Sequence, residues 1–227
     1  MNFHFGWTEL IYGHLTVRYP GPEPHFLINP YGLNYDEVSA SNLVTLDLEG
    51  NVIKGQGYGE NYAGFVIHSA IHIAKEGQNR VVMHTQTRAG IAVAALEYGL
   101  LPISMIAVQF YDDIAYHDYE GVSIYLDERE RLLEALGNAK AMILRNHSLL
   151  TVGRTVPEAF LNLYRLECAC QVQIEATAAG KVRQITGNVA GQSRDDLECA
   201  ATDKPKGDLE FVALMHKLDK IDASYRN

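Results

Sequence analysis

The chain lacks the features that mark a secreted, membrane-spanning or disulfide-stabilised protein. Its three cysteines are an odd number, and Cys168 and Cys170 lie two residues apart in a helical segment, where side chains do not face each other. The first ten residues show no basic start followed by an apolar core. The least polar stretch, 89–110, is broken by glutamate, glycine, proline and glutamine. We therefore expect a reduced, cytoplasmic protein with no membrane partner.

Basic residues are also scarce. Lysine and arginine total 19 against 28 aspartates and glutamates, which gives a net charge of −9. Because no local basic cluster compensates, the composition argues against nucleic acid as a partner. A content of 47% hydrophobic and 21% charged residues is typical of a folded globular chain, and 227 residues are enough for one large domain with a sizeable core.

The first quarter of the chain has the pattern of β-hairpins. Two extended segments, His14–Tyr19 and His25–Asn29, flank a proline-rich turn. A second hairpin follows, because Leu43–Leu48 alternates apolar and polar residues and a Gly-Asn turn leads into Val52–Ile53. Short apolar segments at 80–83 and 141–145 have the length and branching of buried strands.

Helices are predicted between and after these strands. The strongest signal is the capping pattern of Thr155 and Glu158, with Pro157 where a missing N–H costs nothing. Residues 181–206 appear polar and irregular. We therefore predict a main domain over 1–185 and a C-terminal extension over 186–227 with one amphipathic helix. The predicted helices are 64–75, 89–97, 127–136, 155–180 and 208–221.

Two histidines lie at the polar ends of the two buried strands and are the first candidates for chemistry. His84 lies in the run VVMHTQT, and His147 lies in AMILRNHSLL. Because side chains two apart on a strand point the same way, Gln86 is expected beside His84. If the strands are neighbours, these residues offer a metal two imidazoles and one amide oxygen.

Four ordered motifs carry a resemblance to the class II aldolase and adducin family, and to its adducin-like branch. The resemblance implies an α/β fold, a three-layer αβα sandwich with a mixed, mostly antiparallel central sheet. It also implies a homo-oligomer, namely a homotetramer, and a small-molecule substrate. The motifs are GFVIHSAIH (64–72), GLLPIS (99–104), AYHDYEGV (115–122) and ILRNHSLLTVG (143–153).

The resemblance also implies a metal site. Aldolases of this family hold a divalent metal, commonly zinc, with an His-x-His pair and a later histidine, and the metal polarises the substrate carbonyl. His84 matches the first ligand, Gln86 the second and His147 the third. An amide oxygen binds zinc less well than imidazole, so the resemblance implies a degenerate site for zinc, with manganese or iron as alternatives.

The acid–base residues implied by the family are altered as well. Gly64 stands where the aldolases have a glutamate, and Glu60 is the nearest carboxylate. Tyr116 matches a tyrosine that donates a proton from a neighbouring subunit. His14-Leu15-Thr16 replaces an Asn-x-Ser pattern of the phosphate site, which argues against a phosphorylated substrate.

Three interpretations follow from this set of residues. The first is a metal-dependent lyase, by aldol cleavage or a related decarboxylation or epimerisation, that acts on a small hydroxy-carbonyl substrate and uses Tyr116 as acid and water or Glu60 as base. The second is a non-catalytic adducin-like binding or scaffold protein. The third is oxygen chemistry on a ferrous ion. The remaining histidines of the motifs, His68, His72 and His117, are interpreted as structural.

Overall fold

The computed structural model describes residues 1–21, 23–55, 57–59, 61–74, 79–122, 125–199 and 204–227. Its centre is an eight-stranded sheet with the order β4-β3-β2-β1-β5-β8-β7-β6, antiparallel except for the parallel pair β6 and β7. The strands are β1 (His14–Arg18), β2 (Phe26–Ile28), β3 (Val44–Leu46), β4 (Val52–Lys54), β5 (Val81–Thr85), β6 (Ala115–His117), β7 (Ala141–Leu144) and β8 (Ser148–Gly153). The helices are α1 (Asn2–Phe5), α2 (Tyr62–Ala74), α3 (Arg88–Ala94), α4 (Met105–Val108), α5 (Glu128–Leu136), α6 (Val156–Ala179), α7 (Gly187–Cys199) and α8 (Asp208–Ile221).

Helices cover both faces of the sheet, which confirms the three-layer αβα fold. On one face α2 and α5 pack on a core that includes Val82, Met142 and Leu150. On the other face α3 and α6 pack on a core that includes Met83 and Ile143. Neighbouring residues of one strand belong to opposite cores because strand side chains alternate between faces. Strands covered on both sides are therefore rich in apolar residues: β7 is apolar throughout, and β5 is apolar up to His84.

Both predicted hairpins are present. β1 pairs with β2 and β3 with β4, each in antiparallel register. The long helix α6 also begins where its cap was predicted, because the Thr155 hydroxyl accepts the N–H of Glu158 at 3.2 Å. These elements depend on short-range chemistry, which a sequence shows directly.

The C-terminal region differs from its prediction. The segment expected to be irregular contains α7, so the described residues of the extension form two α-helices, α7 and α8. Ala190 is the one buried residue of α7, and Arg194 ties it to the backbone oxygen of Tyr111 at 2.9 Å. A helix with so little buried surface needs few apolar residues, so its sequence shows hardly any helical spacing of apolar positions. The boundary near residue 185 stays a prediction.

The state of the cysteines and the character of the helices can be compared with the sequence analysis. Cys168, Cys170 and Cys199 are all free, as their number and spacing indicated. Within the described ranges, no helix combines the length and the apolar character that crossing a bilayer requires.

Candidate functional site

The site starts from a cross-strand pair in the middle of the sheet. His14 on β1 lies directly opposite His84 on β5. Residues opposite each other in an antiparallel pair have neighbouring side chains on one face of the sheet. The two imidazole rings are accordingly stacked, with centres 5.1 Å apart and planes 10° apart.

His147 joins this pair from the next hairpin. The turn between β7 and β8 passes through Asn146, which has a left-handed φ of 55°, and His147 follows immediately. Because β8 pairs with β5, the turn brings the His147 ring to 5.0 Å from the His84 ring, centre to centre. The predicted convergence of His84 and His147 is therefore present, whereas their role as metal ligands stays a prediction.

Helix α2 closes the site with one face. Gly64, His68 and His72 are four residues apart and lie along that face. The Thr16 hydroxyl is 2.8 Å from His68 Nδ1 and 2.8 Å from His72 Nε2, so a hydroxyl bridges two buried imidazoles. A Cβ atom at Gly64 would lie 2.5 Å from the His14 ring. His14 therefore fills the space that a side chain at position 64 would need.

Burial keeps these histidines neutral. Burial and, to a smaller extent, the nearby His147 together lower the pKa of His14 to about 4, although a hydrogen bond with Asn61 acts in the opposite direction. Burial also lowers the pKa of His84 and of His147. For His147 the charge of Glu128 acts in the opposite direction. Neutral imidazole is the form that binds metals.

The spacing of His84 and His147 fits one shared divalent ion. His84 Nδ1 lies 3.2 Å from the backbone oxygen of Leu149. A carbonyl only accepts hydrogen bonds, so Nδ1 carries the proton and Nε2 keeps a lone pair, as in ligands that a carbonyl orients. In the described part of the chain, no three His, Cys, Asp or Glu side chains already converge on one point. We therefore define the candidate metal site by the two imidazoles of His84 and His147.

Gln86 and Glu60 are the two remaining predicted residues of the site. Gln86 follows the end of β5 and is half-buried. By strand alternation it would continue the face of His84. Glu60, the predicted base, lies outside the described residues. Its role and that of Gln86 as a ligand stay predictions.

Tyr116 lies on the other face of the sheet from this histidine cluster. Its ring packs with the core beneath α3 and α6, and the Arg145 guanidinium lies 4.3 Å from the ring centre. The hydroxyl accepts the Leu100 N–H at 3.1 Å, and burial raises the pKa of Tyr116. Within one chain Tyr116 therefore packs and holds the 99–100 turn. The proton donation implied by the family concerns a neighbouring subunit and stays a prediction.

Sequence reasoning missed an acidic pocket beside His147. The buried Glu128 carboxylate lies 3.2 Å from His117 Nε2, and both line a pocket with His147 and Tyr119. A cleft of about 440 Å³ adjoins it, and the two share Asp118, Tyr119 and Arg145. Glu128 lies in a helix that was predicted from the sequence, over 127–136, but its position beside His147 was not predicted.

Glu167 holds the loop that carries Gln86. It is fully buried on α6, and its two carboxylate oxygens accept hydrogen bonds of 2.6 Å from the Thr85 and Thr87 hydroxyls. Thr87 also caps α3 by accepting the Gly90 N–H. The loop after β5 is therefore fixed by a carboxylate 80 residues away in the chain.

Burial raises the pKa of Glu167 from its ordinary value of 4.5, although the two threonine bonds oppose the shift. The folded chain then holds this proton more tightly than the unfolded chain, so stability should fall as pH rises from 4.5 through the folded pKa. We expect wild type to lose stability relative to Glu167→Gln as the pH rises across this window. The difference between their free energies of unfolding, wild type minus variant, should therefore decrease. Urea unfolding from about pH 4 to about pH 8 measures it, and a constant difference would contradict the assignment.

The fold and the site together define a class of protein: an αβα domain whose mostly antiparallel sheet brings strand-end histidines together, as in class II aldolases. The family model described as the class II aldolase and adducin N-terminal domain matches residues 1–174. The chain belongs to the class II aldolase and adducin family.

Relatives of both kinds are found. Mouse alpha-adducin is 41% identical over 96% of this chain, which spans 31% of that protein. An aldolase II superfamily protein of Pseudomonas syringae superposes with a TM-score of 0.92 at 44% identity, over 100% of this chain and 90% of that one. A structure titled L-fuculose 1-phosphate aldolase, from Glaciozyma antarctica, gives 0.84 at 32% identity, over 100% and 87%.

Proposed function

We propose that the protein is a metal-dependent lyase that acts on a small hydroxy-carbonyl or hydroxy-acid compound, with the ion held by His84 and His147. The observation that supports it is the 5.0 Å separation of two neutral imidazoles, the buried His84 on β5 and the half-buried His147 on the turn before β8. A bound divalent ion supplies Lewis acidity toward a carbonyl oxygen. Zinc is the first choice because imidazole nitrogen suits it, with manganese and iron as alternatives.

The cleft beside His147 has the size and the groups to hold such a substrate. Its volume of about 440 Å³ is within the usual range for small-molecule sites. Arg145 lines it with a guanidinium, which suits a carboxylate or a carbonyl oxygen. Glu128, next to His117 and His147, gives the site a carboxylate that can receive a proton in place of the missing glutamate.

The substrate is proposed to carry no phosphate. In the sequence, His14 and Thr16 occupy the place of a phosphate-binding pattern. In the fold, the His14 ring is buried against His84, and the Thr16 hydroxyl is engaged by two histidines. Neither side chain is available to a phosphate group. The Glaciozyma antarctica relative, in contrast, is named for a phosphorylated substrate.

Assembly and further acid–base groups complete the proposal. A cytoplasmic homotetramer would bring Tyr116 of one subunit toward the site of another, as the family resemblance implies. Glu128, water or Glu60 would then serve as base, with Tyr116 as acid.

Metal analysis of the purified protein tests this function. We expect close to one zinc, manganese or iron per chain after dialysis, because two imidazoles and a carboxylate-containing pocket bind divalent ions. Gln86→His should raise the affinity further by adding an imidazole to the site, and Gln86→Ala is the matched control. Metal bound only by Gln86→His would contradict the proposal and indicate a decayed site.

A second function, an adducin-like binding protein, is favoured by one specific observation. Gly64 cannot move a proton, and the His14 ring occupies the space that a glutamate at this position would need. Adducins are also among the relatives. Under this alternative, wild-type protein binds no metal and shows no retro-aldol, decarboxylase or epimerase activity with added zinc, manganese or iron.

A further inference from the structure

We propose that His14 is a protein ligand of the metal site, so that three imidazoles, those of His14, His84 and His147, bind the ion. This inference rests on the proposed function, since it names a further ligand of the same ion. The family resemblance assigned the place of the missing ligand to Gln86. The fold instead brings an imidazole from β1, through its pairing with β5.

The distances between the rings are those of imidazoles that share one ion. A zinc–nitrogen bond of about 2.1 Å places a ring centre about 3.2 Å from the metal, so two ligands at a tetrahedral angle have ring centres about 5.2 Å apart. The His14–His84 and His84–His147 separations are 5.1 Å and 5.0 Å. His84 thus lies at this spacing both from the imidazole on β1 and from the imidazole on the turn between β7 and β8.

The nitrogen atoms of His14 are suitably protonated for binding. Its Nδ1 is buried and has no hydrogen-bond partner among the described residues. The hydrogen bond with Asn61 therefore falls to Nε2, which leaves the lone pair on Nδ1. A buried nitrogen with an unused lone pair calls for an explanation, and a bound ion supplies it.

Gly64 belongs to the same arrangement. The His14 ring can lie over α2 only because position 64 has no Cβ, which would come within 2.5 Å of Cγ and Cδ2. The carboxylate that the family has here is thus replaced by an imidazole from the opposite strand. An imidazole is also a better ligand for zinc than the amide of Gln86.

Binding requires one adjustment. The His14 and His84 planes are 10° apart, and parallel rings do not point their nitrogens at a common centre. This agrees with the absence of a converged three-residue group in the described chain. Rotation of the His14 ring about its side-chain bonds would bring Nδ1 toward the position shared by His84 and His147.

The number of imidazoles can be counted directly on wild-type protein loaded with Cu²⁺ alone. Electron spin-echo envelope modulation distinguishes two from three equivalent imidazole ligands and needs no enzyme substrate. We expect three in wild type and two in His14→Ala, with three retained in Gln86→Ala and in the control His72→Ala. His72 is buried on the face of α2 that carries Gly64 and His68, and its ring bonds the Thr16 hydroxyl.

Zinc affinity gives an independent measure. His14→Ala should weaken Zn²⁺ binding by roughly 10- to 100-fold, and His14→Asn covers the case in which alanine disturbs the fold. Two imidazoles in wild type, with Zn²⁺ affinity unchanged in both His14 variants, would overturn the inference and leave the proposed function intact. Wild type that binds neither Cu²⁺ nor Zn²⁺ would overturn both.

Discussion

Replacing His147 with alanine should lower the affinity for Zn²⁺ by roughly 100-fold or more, since it removes one of the two imidazoles at the centre of the site. His147 lies on the turn between β7 and β8, outside both strands, and is half-buried. The fold should therefore survive, and isothermal titration with zinc measures the loss.

His216→Ala is the matched control for this experiment. His216 is exposed on α8 and remote in sequence from the site, so the same chemical change should leave zinc affinity unchanged. Circular dichroism of both variants checks that each is folded. Full metal occupancy in His147→Ala would refute the assignment of the site.

Gly64→Ala should destabilise the protein by about 1–3 kcal/mol, because the new methyl group would overlap the His14 ring. A loss of stability would be informative, since replacing glycine by alanine in a helix ordinarily stabilises a protein by about 0.5–1 kcal/mol. In a His14→Ala background the overlap is gone, and the same substitution should then be stabilising.

A double-mutant cycle measured by urea unfolding separates the two effects. The sum of the single changes should differ from the double change by more than about 1 kcal/mol, since the two residues are in contact. Additive values would mean that the His14 ring does not occupy the space beside Gly64. The steric basis for the imidazole ligand set would then be lost.

These two experiments concern residues that the sequence revealed to different degrees. His84 and His147 were visible because each lies at the polar end of a short apolar segment of the sequence. His14 was visible only as a departure from a phosphate-binding pattern. Its pairing with His84 spans 70 positions in the chain, and no local pattern encodes a register of that range.

Glu167 and Glu128 show the same limit. Each lies in a helix that was predicted correctly, α6 and α5, and each appeared there as one charged residue among several. Only the packing of those helices shows that Glu167 holds the loop after β5 and that Glu128 lies beside His147. Helix α7 was missed for the opposite reason, because it buries too little surface to leave an apolar period.

The amino-acid sequence by itself determined the elements that depend on near neighbours: the hairpins, the capped start of α6, the free cysteines and the strand-end histidines. It also carried the motifs by which the family was identified. The tertiary structure decided which side chains meet. Strand register and helix packing join residues far apart in the chain, and they placed the imidazole of His14, rather than a carboxylate from position 64, against His84.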